Sequence, residues 1–223
     1  MYRSLGPSRT LLLVSATLLG ALAFAARAQS NASDPAVSRI EAFYDALVAT
    51  MKQAERLGIR GRYDRLAPVI RSTFDLPAMT RIAVGPEWNS IAQEQQSQLI
   101  VNFTRMTIAT YANRFDGYSG ERFEVDPASE ARSTGRIVRT KLSPATGEPI
   151  TLNYLMRGSG DDWKIVDVYL TGTISELATR RSEFGALLKA GGPNALNESL
   201  RQQAEKLMQP PNTKVESDAF KQR

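Results

Sequence analysis

The chain has no cysteine and no histidine in 223 residues. Without cysteine there is no disulfide and no thiolate nucleophile or ligand, so the fold closes by apolar burial alone. Without histidine the usual general base, the commonest zinc ligand and both the Ser-His and Cys-His arrangements are excluded. Paired carboxylates or serine with lysine remain as catalytic options, but no Ser-x-x-Lys and no Gly-x-Ser-x-Gly elbow is present. Charge of one sign is also scarce as a block: lysines and arginines are interspersed with acids, so no cationic stripe points to nucleic acid. Long apolar runs are missing too, with one exception at the start.

That exception runs from Leu11 to Ala26, behind Arg3 and Arg9, and ends in Ala26-Arg27-Ala28. A basic flank, a short apolar stretch and small residues at −3 and −1 of a cut before Gln29 are the parts of a secretory signal peptide. A retained anchor needs about 20 apolar residues, and this run falls short of that. The expectation is cleavage after Ala28 and an exported chain, periplasmic in a Gram-negative cell. Losing Arg3, Arg9 and Arg27 with no acid lowers the formal charge from +5 to +2.

In the exported part, Asp34 as cap and Pro35 at the first position open an amphipathic helix to about Leu57, with Val37, Ile40, Tyr44, Leu47, Val48 and Met51 on its apolar face. A shorter helix is expected over about 62–72, and a helical turn after Phe74-Asp75-Leu76-Pro77 through Ile82. The longest helix is expected over about 90–115, with Leu99, Phe103, Met106, Thr110 and Phe115 along one side and Ile100, Ile108 and Tyr111 flanking them. Four strands follow, at 121–126, 135–142, 149–157 and 162–171, joined by short turns that imply an antiparallel meander. Helices return at 175–190 and 194–208 across Gly191-Gly192-Pro193, and 209–223 reads as a flexible polar tail. Segregated helices, strands and helices define an α+β class.

Few residues carry candidate chemistry. Asp161-Asp162 beside Gly158 and Gly160 reads as a hairpin turn, since no calcium-loop spacing surrounds it. Gly191-Gly192-Pro193 lacks the lysine and preceding strand of a phosphate loop and reads as a helix break. Asp167 interrupts an apolar strand, so its carboxylate either accepts bonds from a neighbouring loop or stands at a cavity mouth. Trp88, Phe103, Met106, Tyr111 and Phe115 suit ordinary core, or together the wall of a cavity for a flexible apolar ligand.

Several blocks carry a family resemblance: Phe74-Asp75-Leu76-Pro77-Ala78-Met79 with Ile82-Ala83-Val84-Gly85-Pro86-Glu87-Trp88; Phe103 through Thr110-Tyr111-Ala112 to Tyr118-Ser119-Gly120; Trp163-Lys164-Ile165-Val166-Asp167-Val168; Gly172-Thr173-Ile174-Ser175; and Phe184-Gly185-Ala186-Leu187-Leu188 leading to Gly191-Gly192-Pro193-Asn194-Ala195-Leu196. In this order, over roughly 37–208, the chain resembles periplasmic phospholipid-binding proteins of the toluene-tolerance and MlaC type. Their hopanoid biosynthesis-associated membrane protein branch, HpnM, is the nearest. The resemblance implies an NTF2-like, four-stranded twisted antiparallel sheet packed against N- and C-terminal helices, with an apolar cavity between, in a lipid-binding domain over 29–208. It further implies a soluble, non-enzymatic carrier that shuttles a phospholipid or hopanoid-like lipid between inner and outer membranes; the alternatives are an NTF2-like enzyme using the same cavity, with Asp167 as its acid, or a structural subunit of an envelope complex. No cofactor and no metal are implied, and the partners are an inner-membrane transporter and an outer-membrane acceptor complex. The expected pocket wall is Phe103, Met106 and Tyr111 from the long helix, Leu152, Tyr154 and Met156 from the third strand, and Val166 and Val168 from the fourth.

Overall fold

The structure, a computed structural model, describes residues 34–209. The expected signal peptide and its cut after Ala28 lie outside the described residues, as does the expected tail beyond Gln209. The helix α1 (Pro35–Met51) begins where the Asp34 carboxylate accepts the Ala36 amide at 3.0 Å. Its other oxygen accepts from the amide and hydroxyl of Ser129, 3.0 and 2.6 Å away, which ties the helix start to the sheet. Ile40, Phe43, Tyr44 and Leu47 are buried on its inner face, each fully buried side chain contributing about 1.5–3 kcal/mol of transfer free energy.

The first helix is shorter than the apolar pattern suggests, because Lys52 and Gln53 interrupt it before α2 (Ala54–Thr73) starts. Within α2, Gly58 leaves helical geometry at φ 59°, so the regular part lies after it. Arg62 is buried there and donates to the carbonyls of Ala112 and Ala54. The Phe74-Asp75 step then leads into α3 (Leu76–Val84), capped by the Asp75 carboxylate on the Ala78 amide, and a 3₁₀ turn (Gly85–Ser90). The long helix α4 (Gln93–Arg114) is buried at Leu99, Phe103, Thr104, Met106, Ile108, Ala109 and Ala112, on more than one side, because α2 and α5 both pack on it.

The strands are β1 (Arg122–Val125), β2 (Glu130–Arg132), β3 (Gly135–Ser143), β4 (Ile150–Arg157), β5 (Lys164–Leu170) and β6 (Ile174–Ser175). They form one antiparallel sheet ordered β1-β3-β4-β5-β6, with β2 beside the other end of β3. The class is thus helices with an antiparallel sheet, as read from the sequence, but the four expected strands are a correction: six are present among the described residues. The two extra strands are three and two residues long, too short to show an alternating pattern.

The last helix, α5 (Glu176–Leu207), is two rods in series. Its break falls at Gly191 and Gly192, the latter at φ 67° and ψ −166°, a conformation essentially confined to glycine. The second rod runs alongside α4 in the same sense, with Asn194 meeting Gln95, Asn197 meeting Asn102 and the Leu207 carbonyl meeting Asn113. The first rod lays Phe184 edge-on against Phe103, ring centres 6.3 Å apart. Among the described residues no helix is long and apolar enough to cross a membrane.

Candidate functional site: an apolar cavity between sheet and helices

The floor of the site comes from β4 and β5. Leu152 pairs with Leu170, Tyr154 with Val168, and Met156 with Ile165, so these six share the helix-facing side. Two residues of β4 thus span three of β5: a bulge inserts Val166, and the period-2 pattern shifts by one across it. Asp167, opposite Leu155, lies on the other face.

Over that floor close Tyr44 of α1, Phe74, Met79 of α3, and a stripe of α4 made by Phe103, Met106, Thr107, Thr110, Tyr111 and Arg114. Phe115 and Phe123, with Glu176, Leu177 and Arg180 at the start of α5, complete the lining. They enclose about 130 Å³, within about 860 Å³ of unfilled space once the open mouth is counted. Rings dominate the lining. Tyr111 stacks on Phe115 at 5.7 Å and meets Phe74 edge-on at 5.6 Å, while Tyr44 and Phe123 are 4.6 Å apart. Such tilted and edge-on pairs hold their geometry without polar bonds. The sheet also anchors the wall: the Asp75 amide donates to the Ile165 carbonyl at 2.9 Å, which fixes Phe74 against β5 at the bulge.

Polar groups inside the site are few and mostly committed. The Thr140 hydroxyl donates to the Leu152 carbonyl at 2.6 Å and lies 2.7 Å from the Tyr44 hydroxyl, which is 3.0 Å from that of Tyr154. Three hydroxyls in series therefore end on a backbone carbonyl. Thr107 and Thr110 turn back onto the Phe103 and Met106 carbonyls, each at 2.9 Å. Burial pushes the Tyr44 hydroxyl up, against the opposing effect of its hydrogen bonds with Thr140 and Tyr154. It pushes Tyr154 and Tyr111 up further, and neighbouring Tyr44 adds to both. All three thus stay protonated through the neutral range.

Of the eight residues expected in the wall, Phe103, Met106, Tyr111, Leu152, Tyr154 and Val168 line the cavity. Met156 is on the correct face but sealed in the core beside Ile165, fully buried. Val166 does not line it because it is the bulged residue. Tyr44, Phe74, Phe123 and the rim residues Arg114, Glu176 and Arg180 also line the cavity, beyond the expected wall. The α4 members had a usable signal, since positions 103, 106, 107, 110, 111 and 114 fall on one helical stripe. Asp167 lies outside the cavity: its carboxylate accepts from the Ser175 hydroxyl at 2.6 Å and from the Val168 and Leu177 amides at 2.8 and 3.2 Å. Among the described residues no cluster of acids forms a metal site.

An α+β fold with a mostly apolar, ring-lined cavity between sheet and helices and a charged rim defines a class of protein with room for an apolar ligand. A family model for the MlaC protein matches residues 41–202. The chain belongs to the MlaC family. Among solved structures it is similar to the phospholipid-binding protein from Ralstonia solanacearum, determined in complex with a phospholipid. The two are 24% identical with a TM-score of 0.68, over 78% of this chain and 99% of that one, a likeness of fold. No curated protein matches the chain.

Proposed function

We propose that the chain is a lipid carrier, which holds the acyl chains of a phospholipid or hopanoid-type lipid in the cavity and leaves the headgroup in water. The observation that carries this reading is the cavity itself: rings and aliphatic side chains on every side, charges only at the rim. Membership of the MlaC family and likeness in fold to a phospholipid-binding protein support it. The role needs no bond making. An apolar slot offsets the cost of exposing acyl chains, about 0.8 kcal/mol per CH₂, so moving a lipid between bilayer and slot is nearly an exchange.

The full reading places an exported protein in the periplasm, on an NTF2-like scaffold, exchanging lipid with an inner-membrane transporter and an outer-membrane acceptor complex. Membership of the hopanoid-associated branch belongs to the same proposal. The test is to purify the protein from its native envelope, extract it with organic solvent and identify the extract by mass spectrometry. A stoichiometric phospholipid or hopanoid is expected. Protein that is folded yet yields no lipid, from the envelope or after incubation with vesicles, overturns the reading.

A further inference from the structure

We infer that the end of the sheet beside the cavity is an apolar lip that rests on the bilayer itself, so that acyl chains pass between membrane and cavity without crossing water. The inference rests on the lipid-carrier reading and adds the surface with which the carrier exchanges.

Three observations carry it. First, the apolar wall of the cavity continues past its lining. Two rows cross the helix-facing side of the sheet at this end: Phe123 pairs with Leu142 and Leu142 with Ile150, and Leu152 pairs with Leu170 and Leu170 with Ile174. Phe123, Leu152 and Leu170 line the cavity, whereas Ile150 and Ile174, where the rows end, are 45% and 54% exposed. Second, large apolar exposure is gathered here. Among the described residues four large apolar side chains are exposed, and three of them, Ile150, Ile174 and Tyr118, lie at this end, Tyr118 in the loop that leads from α4 into the start of β1. The fourth, Val101, is on α4 away from the cavity lining. A contiguous exposed apolar patch marks a surface that another apolar phase covers. Third, the groups beside the isoleucines suit a membrane interface. Lys52 holds its ammonium 5.1 Å from the centre of the Tyr118 ring, and Arg114 at the rim has no ion pair among the described residues. Aliphatic side chains flanked by a tyrosine and basic groups are the set that settles across a bilayer surface. The occupant is a bilayer because the lip is continuous with the floor that receives acyl chains, and a bilayer is where those chains reside.

The experiment floats protein purified from its native envelope with vesicles of phosphatidylcholine alone, which carry no net charge, and repeats the flotation in high salt. The parent is expected to float with the vesicles and to stay bound in salt. Ile150→Ser combined with Ile174→Ser is expected to weaken binding about tenfold, the scale of two half-exposed isoleucines withdrawn from an apolar phase, with the fold retained by circular dichroism. Val101→Ser, similarly exposed but away from the lip, is expected to leave binding as it was. As a second readout, brominated phosphatidylcholine is expected to quench the added fluorescence of Ile174→Trp and not that of Val101→Trp. Folded parent protein that ignores the vesicles, or an equal loss in Val101→Ser, overturns the inference. Lip-dependent pairing of two copies in place of flotation also overturns it, and assigns the lip to a dimer. In each of these cases lipid found in the cavity leaves the carrier reading intact, whereas folded protein that takes up no lipid by any route removes both.

Discussion

Asp167 shows how much one side chain can organise at a strand end. Its carboxylate collects two amides and one hydroxyl from Val168, Leu177 and Ser175, fastening the start of α5 to β5. Hydrogen bonds to a charged acceptor contribute about 1.5–3 kcal/mol each in the best cases, and removing the acceptor strands its donors. Asp167→Ala is therefore expected to lower stability by about 2–3 kcal/mol, measured as a fall in the denaturant midpoint. Because the carboxylate is outside the cavity, protein that still folds should retain its lipid. A variant that melts like the parent but loses lipid makes Asp167 part of the site. The sequence showed an acid needing partners inside an apolar strand; it held no clue to two of the three donors, since Ser175 and Leu177 lie eight and ten residues on, beyond a turn.

Among the elements, the longer ones were legible and the short or irregular ones were not. The helix α4 and strands β3, β4 and β5 extend over enough residues for their periods to declare themselves, and their bounds fall within about three residues of the pattern. The bulge at Val166 is invisible to period-2 reasoning, because Ile165 and Val166, the residues across which the alternation shifts, are both apolar. That is why Val166 and Val168 were grouped while only Val168 reaches the cavity. The break of α5 was legible from Gly191-Gly192-Pro193, and its geometry gives a prediction with an internal control. A Cβ on Gly192 meets nothing within 4 Å, so Gly192→Ala should destabilise through the backbone alone, by about 1–3 kcal/mol. Gly185, in the regular first rod, also has open space. There Gly→Ala should stabilise by up to about 1 kcal/mol. Thermal melts of the two variants should move in opposite directions, and a shared direction refutes the backbone account.

For the whole molecule, the decisive quantity is the mismatch between the cavity and its proposed cargo. The cavity's 130 Å³, open at its mouth, is below the range of about 300–1,000 Å³ typical of pockets for drug-sized ligands. On the carrier reading, loaded and empty proteins are expected to differ in shape as well as in content. The rigid side of the cavity is the laddered floor of β4 and β5, with Phe74 pinned to it. The unfilled space has one more consequence, in compression. Pressure favours the state with less internal void, and the volume change on unfolding scales with the voids that unfolding removes. The empty protein should accordingly be soft under pressure. Filling the space with lipid should raise the pressure midpoint, followed by tryptophan fluorescence, more than the thermal stabilisation alone accounts for.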